Sequence, residues 1–304
     1  MKKLNVLEWN IRAAASIGWD NDYEIQNWLV DKVTNNKNNK NKYDVIILNE
    51  FAIAKGWDYC QNQLKQAGYV WFMTYTSYEN GILIALKKDT FNIECRDDVH
   101  ITKQICNEKD SCIECPDFLA VTVTYANIPL TIIGARIKVL IDSNDFDEDF
   151  KYRRRQFNIL CNYLSTLNGR VIVAGDFNNG SIFNESDKNH VYLHCARQHY
   201  NYQMIWREVE DNLNFSLGTP DRGGKYGDKF SIVTIDKNTG KTYFTKEDHI
   251  FSNGFKINSC DYLWDFVDSQ NGYDNLCEQD YKGNKKYIPD HAILYAELEL
   301  LDIE

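Results

Sequence analysis

The sequence contains no run of about 18 apolar residues, so no stretch of it reads as a membrane-spanning helix. Its opening stretch, MKKLNVLEWN, has two lysines but no apolar run of the length a secretory signal needs. A soluble, cytoplasmic protein with no stable membrane association is expected. Positive charge is also in deficit. With 44 acidic against 34 basic residues the net charge is −10, so no overall field draws the chain to nucleic acid or anionic lipid. A nucleic-acid substrate would need a local basic patch or a bound metal. A clean cysteine quartet is missing as well. Cys95, Cys106, Cys112 and Cys115 crowd into a polar stretch, the last pair at Cys-x-x-Cys spacing. The other gaps fit no standard zinc pattern. In a reducing compartment the nine cysteines are expected to be mostly free thiols, with neither a structural zinc nor a disulfide in that stretch.

Apolar residues make up 43% of the chain and charged ones 26%, an ordinary balance for a protein with a sizeable core. Strand-like runs dominate: 4–11, 44–51, 69–76, 81–88, 118–125, 130–137, 171–177, 230–236, 242–246, 249–255 and 292–300, several rich in β-branched and aromatic residues. Helical stripes separate some of them: Ile25, Trp28, Leu29 and Val33; Trp57, Cys60, Leu64 and Ala67; Phe157, Leu160, Cys161, Leu164 and Leu167. These stripes read as packing faces. Composition shows no break and no short repeat, which points to one domain over residues 1–304, with two sheets and flanking helices.

The stretch VIVAGDFNNG, residues 171–180, is a buried-type strand that runs straight into Gly175, Asp176 and Asn178. A plain turn explains the ten residues taken alone. The same punctuation recurs, however. Asn10 follows the first strand, Glu50 the second, Asp248 opens a late strand in KEDHIF, and Asp290 and His291 precede the last one in IPDHAIL. Each has its own bland reading as a cap, an edge charge or a turn. If these strand ends converge, several carboxylates share one site, at a cost of several kcal/mol per charge unless a cation or a proton is present. Hard oxygen donors of this kind suit Mg²⁺ or Mn²⁺, and a metal so held suits an anionic substrate, most naturally a phosphate ester.

The ordered series Trp9-Asn10, Asn49-Glu50, GDFN at 175–178, DHIF at 248–251 and PDH at 289–291 resembles the endonuclease/exonuclease/phosphatase superfamily, of the deoxyribonuclease I-like fold, over almost the whole chain. The resemblance implies a four-layer α/β/β/α sandwich of two packed mixed or antiparallel sheets flanked by helices, and Mg²⁺-dependent hydrolysis of phosphoesters, with Mn²⁺ as a substitute. It implies Glu50 as principal metal ligand with Asn10 beside it, and Asp290 against the metal or supporting His291. Asp176 would orient and deprotonate water, Asn178 would hold a phosphate oxygen, and Asp248 would pair with His291. Which of Asp176 and His291 acts as the base stays open.

Arg136 stands where many relatives of that superfamily have His or Tyr. It would either bind phosphate bidentately or pair with a cleft carboxylate. Arg12 has the same ambiguity, and Arg222, in the loop 214–229, is a candidate for the phosphate backbone. Loops 96–117 and 138–150 are the other candidates for substrate choice. The run KYRRRQ at 151–156 reads as a mainly solvated helix face, since consecutive residues point in different directions. Members with this fold cut DNA or RNA, deadenylate messages, or act on inositol lipids or sphingomyelin, so the fold alone does not name a substrate. A nuclease on DNA or RNA is the leading expectation. A phosphatase or phosphodiesterase on inositol phosphate, lipid or another small phosphoester comes second, and an inactive binding scaffold third.

Overall fold

A computed structural model describes residues 2–11, 25, 27–34, 43–53, 55–74, 81–100, 115–140, 145–180, 191–220, 229–235, 242–266 and 289–301. The first sheet contains β1 (Lys3–Asn10), β2 (Val45–Phe51), β3 (Tyr69–Met73), β4 (Gly81–Lys87), β13 (Phe255–Leu263) and β14 (Ile293–Leu300), in the order β13-β14-β1-β2-β4-β3. The second contains β5 (Asn92–His100), β6 (Asp117–Tyr125), β7 (Ile128–Arg136), β8 (Arg170–Asp176), β9 (Ser216–Gly218) and β12 (Asp248–Asn253), in the order β5-β6-β7-β8-β12-β9. Both are mixed: β1–β2 and β7–β8 are the parallel pairs, and the remaining neighbours run antiparallel. Strands β10 (Ile232–Ile235) and β11 (Thr242–Thr245) form a separate hairpin.

The sheets pack face to face. Leu4, Val6, Val45, Ile47, Ile84 and Leu86 of the first meet Leu119, Val121, Leu130, Ile132, Ile172 and Ile250 of the second. The contact is close at Gly134, where a Cβ would lie 2.5 Å from Ile82 and 2.9 Å from Ile47. Helices α1 (Asn27–Thr34) and α2 (Trp57–Gln66) cover the outer face of the first sheet through Leu29, Val30, Val33, Cys60 and Leu64. Helices α3 (Phe146–Leu164), α4 (Val191–His199) and α5 (Tyr202–Arg207) cover the second. The result is the expected four-layer α/β/β/α sandwich. Helix α3 begins where Asp145 accepts from the backbone N–H groups of Asp147 and Glu148, and three acidic residues occupy its first turn, both favourable at a helix N-terminus.

Several local expectations change. The single strand expected over 249–255 is a hairpin: β12 ends at Asn253, Gly254 takes φ +80, and β13 follows. The segment 96–117, expected as a loop, carries most of β5 at one end and the start of β6 at the other. Helices α4 and α5, with the π-helical turn Glu208–Asn212, were not signalled by any long apolar stripe. Cys60, Cys161, Cys195 and Cys260 are free thiols, but Cys115 is disulfide-bonded, which removes it from any zinc thiolate set. Cys95, Cys106 and Cys112 lie outside the residues whose side chains are described. Among the described residues no helix is long and apolar enough to cross a membrane.

Candidate active site

Side chains of a strand alternate between its two faces, and this alternation builds the site. On β1 the inward series Leu4, Val6 continues into Glu8 and Asn10. On β2 Val45 and Ile47 continue into Asn49, and on β8 Ile172 and Ala174 continue into Asp176. Arg136 ends the inward series of β7, and Asp248 begins that of β12. Register then aligns them. Arg136 faces Asp176 across β7–β8, and Asp176 faces Asp248 across β8–β12, so the three stand side by side in one row. Asn10 faces Asn49 in the other sheet. Gly175 permits the close approach of β7 to β8, since a Cβ there would lie 1.7 Å from the Ala135 carbonyl oxygen. It is a steric necessity.

Simple alternation would send Glu50 to the outer, helix-covered face. A register shift between Asn49 and Phe51 and a φ of 52 at Glu50 reset the phase. Phe51 then packs outward, and the Glu50 carboxylate meets Arg136 Nη2 at 2.8 Å. A non-glycine residue in the left-handed region costs about 1–2 kcal/mol. Asn178, with φ 43, shares this conformation. Its N–H donates to Asp176 Oδ1 at 2.8 Å, and its Nδ2 donates to Asp176 Oδ2 at 2.8 Å and to the Ile137 carbonyl at 2.9 Å. Both amide hydrogens are thereby engaged within the protein. Asn10 Nδ2 supplies a further donor to Asp176, at 3.0 Å.

His291 Nδ1 lies 2.8 Å from Asp248 Oδ2, joining the two sheets. Both partners are clamped: Trp9 Nε1 donates to the His291 carbonyl at 2.9 Å, and the Tyr262 hydroxyl to the Asp248 carbonyl at 2.6 Å. Ser231 Oγ accepts from the N–H of Glu247 at 2.7 Å and of Asp248 at 3.2 Å. Arg136 realises the carboxylate-pairing alternative: besides Glu50, its Nη1 reaches Asp117 Oδ2 at 2.9 Å, and its Nε lies 4.0 Å from Asp176 Oδ2. Asp290 adjoins His291 and adds to the negative field on it. Arg12 and Arg222 lie outside the described residues.

Burial pushes Asp176 up to about 7, with Asp248 and Glu247 adding to the rise and His291 and Arg136 opposing it. Burial alone would lower His291, but the Asp248 carboxylate, by charge and by hydrogen bond, raises it well above its ordinary value, aided by Asp176 and Asp290. The Asp248 contact thereby favours the charged form of the imidazole. Arg136 stays charged because Glu50, Asp117 and Asp176 outweigh the cost of its burial. Glu8, Asn49, Asp117 and Glu247 belong to the same rim, and of these only Asn49, in the Asn49-Glu50 pair, stands in a motif of the sequence. Glu8 is fully buried, accepts from Asn49 Nδ2 at 2.7 Å, and is driven well above its ordinary value by burial and by Asp248. Burial also raises Glu247 and Asp117.

Among the described residues acidic side chains thus outnumber cations in the rim, and burial, joined by the neighbouring carboxylates, raises Glu8, Asp176 and Glu247. The metal ligands that the resemblance implies, Glu50, Asn10 and Asp290, carry hard oxygen donors of the kind a divalent ion takes, and the Asn10 amide nitrogen is turned to Asp176. Asp176, Asp248 and His291 also offer ligand atoms within 4.8 Å of one another. Within that cluster His291 Nδ1 is already partnered by Asp248 Oδ2 at 2.8 Å.

No family profile matches the sequence, and no curated protein matches it. Solved structures do. The fold is matched over 98% of this chain and 100% of the solved chain of D. rerio TDP2, complexed with a single-stranded DNA product, at a TM-score of 0.60 and 14% identity. An endonuclease/exonuclease/phosphatase family protein from Bacteroides thetaiotaomicron is matched over 100% of this chain and 99% of its own, at a TM-score of 0.56 and 14% identity. The human Nocturnin catalytic domain, with a bound sulfate anion, is matched over 98% and 94%, at a TM-score of 0.55 and 15% identity. The chain has the deoxyribonuclease I-like fold. Within this deoxyribonuclease I-like sandwich, Asn10, Glu50, Arg136, Asp176, Asn178, Asp248 and His291 meet at one rim through direct contacts from both sheets.

Proposed function

We propose that the chain, as one domain over residues 1–304, is a Mg²⁺-dependent phosphodiesterase acting on DNA or RNA, with Mn²⁺ able to substitute. The observation that carries the reading is the row Arg136–Asp176–Asp248, faced by Asn10 and Glu50 and closed by His291. It joins a carboxylate poised near 7, an imidazolium with a fixed Nδ1 partner, and a hard-oxygen donor set in one buried rim. Supporting the nucleic-acid reading, the D. rerio TDP2 structure is described with a single-stranded DNA product, and ANGEL2, matched at a TM-score of 0.58 and 15% identity, as a 2',3'-cyclic phosphatase in complex with adenosine-2',3'-vanadate.

Asp176, held by Asn10 and Asn178, takes a proton from water as the water oxygen bonds to phosphorus in line with the departing oxygen. His291, charged and oriented by Asp248, donates a hydrogen bond from Nε2 to the non-bridging oxygens as charge builds on them. Bound by Glu50, Asn10 and Asp290, a divalent ion would supply positive charge to the phosphate and its leaving oxygen. Arg136 holds Glu50 and Asp117 in place and offsets the rim's negative charge.

The test incubates the protein with plasmid DNA, single-stranded RNA, a chromogenic bis-phosphodiester and inositol phosphates, each with Mg²⁺, Mn²⁺ or EDTA. We expect metal-dependent turnover of a polynucleotide and of the chromogenic diester, abolished by EDTA and by Asp176→Ala or His291→Ala in folded protein. Turnover confined to inositol phosphates would reassign the substrate. Activity surviving both substitutions would overturn the roles of Asp176 and His291, and no turnover with any substrate would favour a binding scaffold.

A further inference from the structure

One face of α3 carries Asp149, Arg153 and Gln156, which are 5%, 6% and 0% exposed. Of the three consecutive arginines, then, the first is buried, contrary to the expected solvated run. Arg155 does reach out, to Glu148. This buried polar face grips the two segments that leave β7 and β8. Gln156 pairs with the Lys138 backbone both ways, Oε1 accepting from its N–H at 2.9 Å and Nε2 donating to its carbonyl at 2.9 Å. Asp149 Oδ1 accepts from the Leu140 N–H at 2.7 Å. Arg153 is held by Asp149 through Nε and Nη2 and donates Nη1 to the Asn178 carbonyl at 2.7 Å. Asn178 ties the two segments together through its bond to the Ile137 carbonyl.

Packing does not require this arrangement. Phe150, Phe157, Leu160 and Leu164 already seat α3 on the sheet, and burying a guanidinium costs several kcal/mol that apolar side chains would not incur. What the guanidinium reaches is the backbone of the strained residue whose N–H and amide both bind Asp176. We infer that Arg153 is a positioning residue: it fixes the Asn178 backbone in its left-handed conformation and through it sets the Asp176 carboxylate. The inference rests on Asp176 being the reacting carboxylate.

The experiment compares wild type, Arg153→Gln, Asn178→Ala and the double variant, as full chains with Mg²⁺, on the chromogenic bis-phosphodiester. Misplacing a reacting group by about 1 Å costs up to about 100-fold, so Arg153→Gln is expected to lower kcat roughly 10- to 100-fold with KM within about twofold. In the Asn178→Ala background it is expected to cost no more than about twofold further, and Arg153→Lys, which keeps one donor for the carbonyl, to recover part of the loss. Independent, multiplying losses would overturn the inference. Amide hydrogen exchange tests it without turnover: Arg153→Gln is expected to speed exchange in 137–140 and 177–179 while the strands stay protected. Unchanged exchange there, or a rise across the whole sheet, would equally overturn it, even if the wild-type chain hydrolyses nothing.

Discussion

Replacing Arg136 by Met removes the cation that links the sheets. The Arg136 side chain is 8% exposed and pairs with Glu50, 11% exposed, at 2.8 Å and with Asp117, 21% exposed, at 2.9 Å. Removing one partner of a buried pair costs about 3–5 kcal/mol, because the other charge is left without compensation. The Asp117 contact, nearer solvent, adds less. We therefore expect Arg136→Met to lose about 3 kcal/mol in metal-free buffer, a drop in Tm of roughly 6–12 °C at 2–4 °C per kcal/mol for a domain of this general size. A divalent ion at Glu50 would restore the missing charge, and ligand at about 100 times its Kd contributes about 2.7 kcal/mol. Saturating Mg²⁺ should accordingly raise the Tm of Arg136→Met more than that of wild type, where the guanidinium already occupies the carboxylate. Thermal and urea melts with and without Mg²⁺ read both quantities. Adding Glu50→Gln to Arg136→Met should cost less than the sum of the single changes, since it removes the orphaned charge. A variant as stable as wild type without metal, or equal Mg²⁺ gains in both, would refute the reasoning that ion and guanidinium share Glu50.

Asp248→Asn should lower kcat/KM about 10³- to 10⁴-fold with little change in KM, by removing the charge that keeps His291 protonated and oriented; a loss under tenfold would show that the dyad is not part of the chemistry. Gly175→Ala, whose Cβ would lie 1.7 Å from a backbone oxygen of β7, should destabilise the fold by about 3 kcal/mol or more, and a melt within 1 °C of wild type would contradict the strand spacing. Glu8 is held above its ordinary value of 4.5, so its folded state favours the neutral acid. The stability this contributes is full below that ordinary value and is lost as pH rises toward the folded one. Glu8→Gln should therefore gain in Tm over wild type as pH rises above about 4.5, the two converging in acid; a pH-independent difference would mean that Glu8 is not the buried proton carrier described.

How far the site was legible depends on which side of each strand a residue faces. Asn10, Asp176, Asp248 and His291 stand out in the sequence because each interrupts or ends an apolar run, where burial makes a polar group expensive. Glu8 hides in the first strand: in LNVLEWNI it stands two places before Asn10, a spacing that reads as a solvent face, and only a sheet covered on both sides turns that face inward. Glu50 was found by its motif, but its aim toward Arg136 comes from one left-handed backbone angle and a register shift, which no side-chain pattern encodes. Arg153 was legible and overlooked. Counting back four residues from Phe157 along the apolar stripe lands on it, so helix phase alone singles it out from its two neighbours. Asp117 and Glu247 gave no such signal, since each borders a strand in a place where an ordinary turn residue would stand. Their importance exists only once β6, β7, β8 and β12 are laid side by side, Asp117 as a counter-charge of Arg136 and Glu247 through its field on Asp176. The rim is therefore assembled from two kinds of information: residue identities that violate the apolar pattern, and sheet order that decides which of the remaining charges must answer them.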